Sequence, residues 1–339
     1  MSEMSVERSR WLGSGAEEAI DPELAICDPH HHLWDFDEDR YLMADLLADA
    51  NAGHNIVQTV FVECGQKYRE SGPEELRPVG ETEFVLDAIA EAGPEGDRLL
   101  TGIIGFADLR LGSAVEPVLE AHRSAAGPRF KGIRHAAAWD PSPQVHNHRT
   151  DPAGDLLMGE SFREGVRTLG RLGLTYDSWA YHGQLDAIAD LARAVPETTI
   201  IVDHLGGPLG VGPYAGHHDK VLLESRTGLE RLAELANTRL KLGGIGMSVM
   251  GQRWHHRERP PSSADLADYW GSHMAWCIDT FGPDRAMFES NFPPDRRSCS
   301  YGTLWNSFKR MTHDRPISER RALFHDTAAQ VYGLASEPG

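Results

Sequence analysis

Cysteine is scarce in this sequence: Cys27, Cys64, Cys277 and Cys299 are the only four in 339 residues, with no C-x-x-C pair and no regular spacing. That excludes a disulfide framework and fits reduced thiols in the cytoplasm. Long apolar runs are missing too, since no stretch approaches the roughly 18 residues of a membrane span. Residues 1–20 lack the apolar region of a signal peptide and are expected to be a flexible leader before one domain over 21–339. Basic residues are in deficit, 33 Lys and Arg against 51 Asp and Glu, a net charge of −18. This argues against nucleic acid or an anionic membrane as partner. No repeat, low-complexity tract or composition shift divides the chain. A small-molecule substrate is the expected partner, and the last two helices could supply a homodimer surface.

The sequence does contain alternation of apolar strands with helical periodicity. The first strand runs from Leu24 into Asp28-Pro29-His30-His31-His32. Further strands are read at 56–63, 99–106, 130–135, 174–177, 199–204, 239–242 and 286–291. Helices are expected between them. One ends at Gly93-Pro94, one opens on a capping box at Ser113 and Glu116, and one is capped by Ser263. Eight strands alternating with helices predict an α/β fold, a single (β/α)8 TIM barrel with an extra C-terminal helix, with a doubly wound open sheet as the alternative.

The polar residues fall at strand ends: His30 and His32, Glu63, Arg134, Asp177, His204, and Glu289 with Asn291. In a parallel barrel these ends meet at one mouth, where active sites lie. Strand alternation would put Asp28, His30 and His32 on one face, so the two imidazoles could bind one metal ion or serve one substrate as proton-transfer groups. Arg134 offers a planar fork to a substrate carboxylate, with Lys131 and Lys241 as structural cations. Trp179, Tyr181 and His182 follow the fifth strand as pocket-wall candidates. The long loop over 136–155 could cover the mouth.

D-x-H-x-H on strand 1, V-D-H-L-G on strand 6 and R-x-M-F-x-S-N-F-P on strand 8 together resemble the amidohydrolase superfamily. The nearer likeness is to its "amidohydrolase 2" branch of fuconolactonase-like and pyrone-dicarboxylate lactonase-like hydrolases and zinc decarboxylases. The resemblance implies a metal site at His30, His32 and His204, taking zinc or manganese. It also puts Asn291 where the family has an aspartate. An amide takes no proton at neutral pH and is a weaker ligand, so metal-free chemistry stays open. Asp177 is the first candidate for the missing base, followed by Glu289, roughly 6–7 Å deeper along strand 8, and Glu63. The expected activity is hydrolysis of a small lactone bearing carboxylate or hydroxyl groups. A metal-dependent decarboxylase and a degenerate ligand-binding barrel are the alternatives.

Overall fold

The computed structural model describes residues 3–36 and 39–334. Eight parallel strands lie side by side in chain order: β1 (Ala25–His31), β2 (Asn55–Val62), β3 (Leu100–Gly105), β4 (Phe130–Arg134), β5 (Thr175–Ser178), β6 (Ile200–Val202), β7 (Thr238–Leu242) and β8 (Ala286–Phe288). The first and last strands meet just beyond β8. Asn291 N donates to His30 O at 2.9 Å and His32 N to Phe292 O at 2.7 Å. This closes the sheet into a barrel, so the open-sheet alternative does not hold.

Alternation along the strands sorts the core into two layers. Ile26, Phe61, Ile103, Ile133, Tyr176, Leu240 and Phe288 point outward against the helices. Cys27, Val60, Val62, Ile104, Ile201 and Met287 fill the barrel axis, joined by Tyr332 and Leu334 from the chain's end. The bottom is thus packed shut, and open space is left to the carboxyl-end mouth. The surrounding helices are α1 (Glu3–Gly13), α2 (Met43–Ala50), α3 (Val79–Leu99), α4 (Glu116–Ala126), α5 (Glu160–Arg171), α6 (Leu185–Ala194), α7 (His218–Ala233), α8 (Ser263–Phe281), α9 (Tyr301–Met311), α10 (Ile317–Arg321) and α11 (Thr327–Val331). Among the described residues, no helix is long and apolar enough to cross a membrane.

Within the expected leader, α1 occupies Glu3–Gly13, and Trp11 Nε1 donates to Arg257 O at 3.0 Å. The expected break at Gly93-Pro94 is present within α3, which is two helical segments across a kink. Gly93 turns at φ 65°, and helix resumes after Pro94, which needs no N–H donor at a first turn. Two expected helix caps are corrected. Ser113 lies in a 3-10 stretch, and the residue before α4 is Val115, with no side-chain cap. Ser262, not Ser263, caps α8, with Asp265 closing the capping box.

Asp28 does not share a face with His30. The β1–β2 register shifts between Asp28 and His31, so the strand bulges there. Cys27 and His30 therefore both face the axis, while Asp28 turns outward to accept Ser290 Oγ at 2.6 Å and Tyr301 OH at 2.9 Å.

Candidate active site

The interior positions at the strand ends carry His30, Arg134, Asp177, Asp203, Lys241 and Glu289, all at most 5% exposed. His32 and His204 join them. The His30 ring centroid lies 5.0 Å from that of His32 and 4.5 Å from that of His204. Imidazoles 174 positions apart in sequence (204 − 30) thus face each other across one rim.

Two backbone features bring His204 there. Strand β6 ends at Val202 rather than continuing through residue 204. His204 then adopts φ 55°, a left-handed conformation that costs a non-glycine residue about 1 kcal/mol or more. Glu289 braces the turn by accepting His204 N at 3.0 Å. The glycine pair after β7 makes room for both residues. A Cβ on Gly243 would fall 2.4 Å from Glu289 Cγ, and one on Gly244 would fall 2.7 Å from His204 Cβ.

Glu289 is the hub of the site. Its Oε1 lies 2.7 Å from His204 Nδ1 and its Oε2 2.8 Å from His30 Nδ1. Burial opposes its ionisation, but the two imidazoles outweigh that and hold the carboxyl down at about 2. Arg134 lies 3.2 Å from His30 Nε2, and a guanidinium can only donate. His30 Nε2 therefore accepts, while its Nδ1 lies 2.8 Å from Glu289 Oε2 and 3.1 Å from Lys241 Nζ. Burial, and then the Lys241 ammonium, push the His30 pKa far down, so this ring is neutral. His32 Nδ1 is fixed 2.7 Å from Val62 O, leaving Nε2 as its lone-pair nitrogen.

Asp177 does not have the freedom of a general base. Its Oδ2 accepts Lys241 Nζ at 2.6 Å and Tyr332 OH at 2.7 Å, and its Oδ1 is 3.3 Å from Thr175 Oγ1. It anchors an ion pair beneath His30, and Lys241 also lies 3.1 Å from Asp203 Oδ1. Arg134 is likewise committed rather than free to clamp substrate, donating to Glu63 Oε1 at 2.9 Å and to the Glu63 carbonyl. Arg149, from the long loop after β4, takes the other oxygen of Glu63. Burial of Glu63 favours its neutral form, but the two guanidiniums prevail and keep it ionised. Asn291 turns its amide to Asp295 Oδ1 at 2.8 Å.

Asp203 and Asp295 were not singled out from the sequence. Asp203 follows the axis-facing Ile201 by two residues, so strand parity was the available signal. Neither Asp203 carboxylate oxygen accepts a hydrogen bond. Asp177 and Asp203 share one buried ammonium, Lys241, with Glu289 beside them, so carboxylates outnumber the cations Lys241 and Arg134 among these interior residues. Buried charge of that kind calls for a counter-ion. His30, His204 and Glu289 bring ligand atoms within 4.8 Å of one another, so the residues fit a divalent cation. Such an ion would replace hydrogen bonds these groups now make to each other, and it would supply Lewis-acid polarisation of a carbonyl.

A cavity of about 650 Å³ adjoins this centre through two aromatic rings, and His30, His32, His204 and Glu289 are not among its lining residues. Trp34 and Trp179 line it. The Trp34 ring stacks on His32 with centroids 6.0 Å apart, and Trp179 meets His204 edge-on at 4.7 Å. Tyr181, His146, His148 and Arg149 form one wall, while Arg8, Arg296 and Arg297 form another. His182 is set back from this cavity, packed edge-on against Tyr214 at 5.0 Å.

A closed (β/α)8 barrel with histidines and carboxylates gathered at its carboxyl-end mouth defines the class: a barrel enzyme with a polar, ion-accepting centre. Residues 27–334 match the amidohydrolase family. The chain belongs to that family and is a hydrolase. An uncharacterized protein of Sinorhizobium fredii, y4mH, is 32% identical, covering 91% of this chain and 99% of its own. The L-fucono-1,5-lactonase of Burkholderia multivorans is 26% identical over 75% of this chain and 77% of its own. The crystal structure of a Burkholderia multivorans amidohydrolase with bound zinc shares the fold, with a TM-score of 0.70 at 23% identity over 92% of this chain and all (100%) of that one.

Proposed function

We propose that this protein hydrolyses a small cyclic ester, a lactone bearing carboxylate or hydroxyl groups. The observation that carries the reading is the Glu289 carboxylate held between His204 Nδ1 at 2.7 Å and His30 Nδ1 at 2.8 Å, next to the Trp179 ring that lines the cavity. With Nδ1 turned to Glu289, His204 presents Nε2 as the proton acceptor for an attacking water. Glu289 stays ionised and stabilises the imidazolium as it forms. Burial and then the Lys241 ammonium keep His30 neutral, and Lys241 and the Arg134 guanidinium, both within 3.2 Å of that ring, add positive potential where an oxyanion develops. Trp34 and Trp179 offer flat faces to a ring and exclude water from the centre. Zinc or manganese would fit His30, His204 and Glu289; with such an ion bound, His204 would be a ligand rather than the base, and the ion would supply the polarisation of the carbonyl. The lactonase relative and the aromatic lining of the cavity by Trp34 and Trp179 support this reading. Four free, buried cysteines support a reducing, cytoplasmic setting.

The test is acid release at constant pH on a panel of lactones with and without carboxylate and hydroxyl groups. Turnover is expected on at least one and should be lost in Glu289→Gln. Carbon dioxide from aromatic or enol acids, with no lactone opened, would replace the hydrolase reading with a lyase.

A further inference from the structure

The cavity has lining residues that the chemistry above does not use. Three guanidiniums are among them, from Arg8 on α1 and from Arg296 and Arg297 in the turn after β8. Arg8 NH1 donates to Arg297 O at 2.7 Å, which ties α1 to that turn. The segment after α1 is anchored independently. Glu17 accepts Ser263 N at 2.7 Å and Asn306 Nδ2 at 3.2 Å, and Ile20 N donates to Asn306 Oδ1 at 2.8 Å. The leader thus lies across the mouth as a built wall of the cavity.

The charge at this wall runs against the rest of the molecule. The chain carries a net −18, yet Arg8, Arg149, Arg296 and Arg297 line the cavity against one carboxylate, Asp39. Arg149 is taken by Glu63. Among the described residues, no carboxylate forms an ion pair with Arg8, Arg296 or Arg297. Burial and then the charges of Arg297 and Arg296 press on the Arg8 guanidinium, against the smaller favourable effect of Asp39, so the three feel one another. Like charges gathered at the edge of a cavity are relieved by an anion, and guanidinium forks match carboxylate geometry.

We propose that Arg8, Arg296 and Arg297 form an anion subsite that takes a carboxylate carried by the substrate at the end away from its reacting carbonyl. The N-terminal helix is then part of the substrate-binding site and sets specificity for anionic over neutral rings. A cavity of about 650 Å³ holds a small ring and one charged arm at once. The assignment rests on the lactone reading for the identity of the ring, but not for the anion.

Titration calorimetry with isophthalate, benzoate and benzamide reads the subsite without turnover. In the full-length protein, isophthalate is expected to bind at least about tenfold more tightly than benzoate, because its second carboxylate reaches the arginines. Arg8→Ala and Arg297→Ala should each erase most of that difference. Arg10→Ala, exposed on the same helix, should leave it intact and so exclude a general disturbance of α1. On any lactone pair that is turned over, the preference for the carboxylated member should fall about tenfold in Arg8→Ala, through KM. Equal binding of isophthalate and benzoate by the wild type, or an unchanged difference in both arginine variants, overturns the subsite. If no lactone is opened but the isophthalate difference depends on Arg8 and Arg297, the lactone reading has failed and the subsite stands.

Discussion

The Asn291 amide lies 2.8 Å from the carboxylate of Asp295, four residues further along the same turn. Asp295 Oδ2 also accepts Gly246 N at 2.8 Å, which pins the loop after β7 to the end of β8. The carboxylate that the amidohydrolase pattern leads one to seek at residue 291 is therefore absent from that position, while a buried one sits beside it.

Restoring the family aspartate should harm this protein. Asn291→Asp would set two carboxyl groups in hydrogen-bonding contact, and Asp295 is already held above the ordinary carboxyl range by burial. Two such groups cannot both ionise. A loss of about 2–4 kcal/mol is expected, with no gain in turnover. Combining it with Asp295→Asn restores one amide and one carboxylate, and the double variant should recover most of the melting temperature. A stable single variant with raised lactonase turnover would instead mean that residue 291 faces the substrate.

Glu289→Gln should lower kcat by about 10²–10⁴-fold while the protein stays folded, because the amide cannot stabilise an imidazolium on His204. His204→Asn should cost a similar amount. The two changes together should cost little more than either alone, since the pair acts as a unit. Additive losses in single-turnover kinetics would separate their roles.

The barrel was legible because a buried parallel strand announces itself by β-branched and aromatic residues, and its helices by spacing. Strand-end chemistry was legible for the same reason: His30, His204 and Glu289 end apolar runs. What could not be read was anything set by a register slip or a loop path. The bulge that turns Asp28 away from His30 leaves Pro29 as its only trace in the sequence. Asp177 looked like a free base because its partners, Lys241 and Tyr332, lie 64 and 155 residues away. Arg149 and the Arg8, Arg296 and Arg297 group come from loops and a leader whose routes over the mouth leave no periodic signal.

Glu81 gives the fold a measurable pH dependence. Its Oε1 accepts Cys64 N at 2.9 Å and Gln66 N at 2.8 Å, bracing the loop that follows Glu63, while its Oε2 has no partner. Burial, then the charge of Glu63, raise its pKa from 4.5 to about 7. A carboxyl raised on folding contributes stability fully below its unfolded pKa and loses it as pH climbs through the folded one. The wild type should therefore lose ground to Glu81→Gln between about pH 4.5 and pH 7, by at most about 1.4 kcal/mol per pH unit. Thermal melts of the two proteins across that window give the comparison, and a gap that stays constant would show that Glu81 is ionised in the fold.

Ion content distinguishes the ligand set read from the sequence from the one the fold assembles. The family resemblance implies His30 and His32 with His204, whereas the groups that converge within 4.8 Å are His30, His204 and Glu289. Protein purified without chelator is expected to carry about one zinc or manganese ion per chain. Glu289→Gln removes a charged ligand and should lower occupancy by at least about tenfold. His32→Asn should keep the ion, because His32 Nδ1 is tied to Val62 O and its ring belongs to the aromatic stack with Trp34. Elemental analysis of the two variants reads this directly. Occupancy lost in His32→Asn and retained in Glu289→Gln would return the site to the histidine pair of β1 and leave Glu289 as an orienting carboxylate alone.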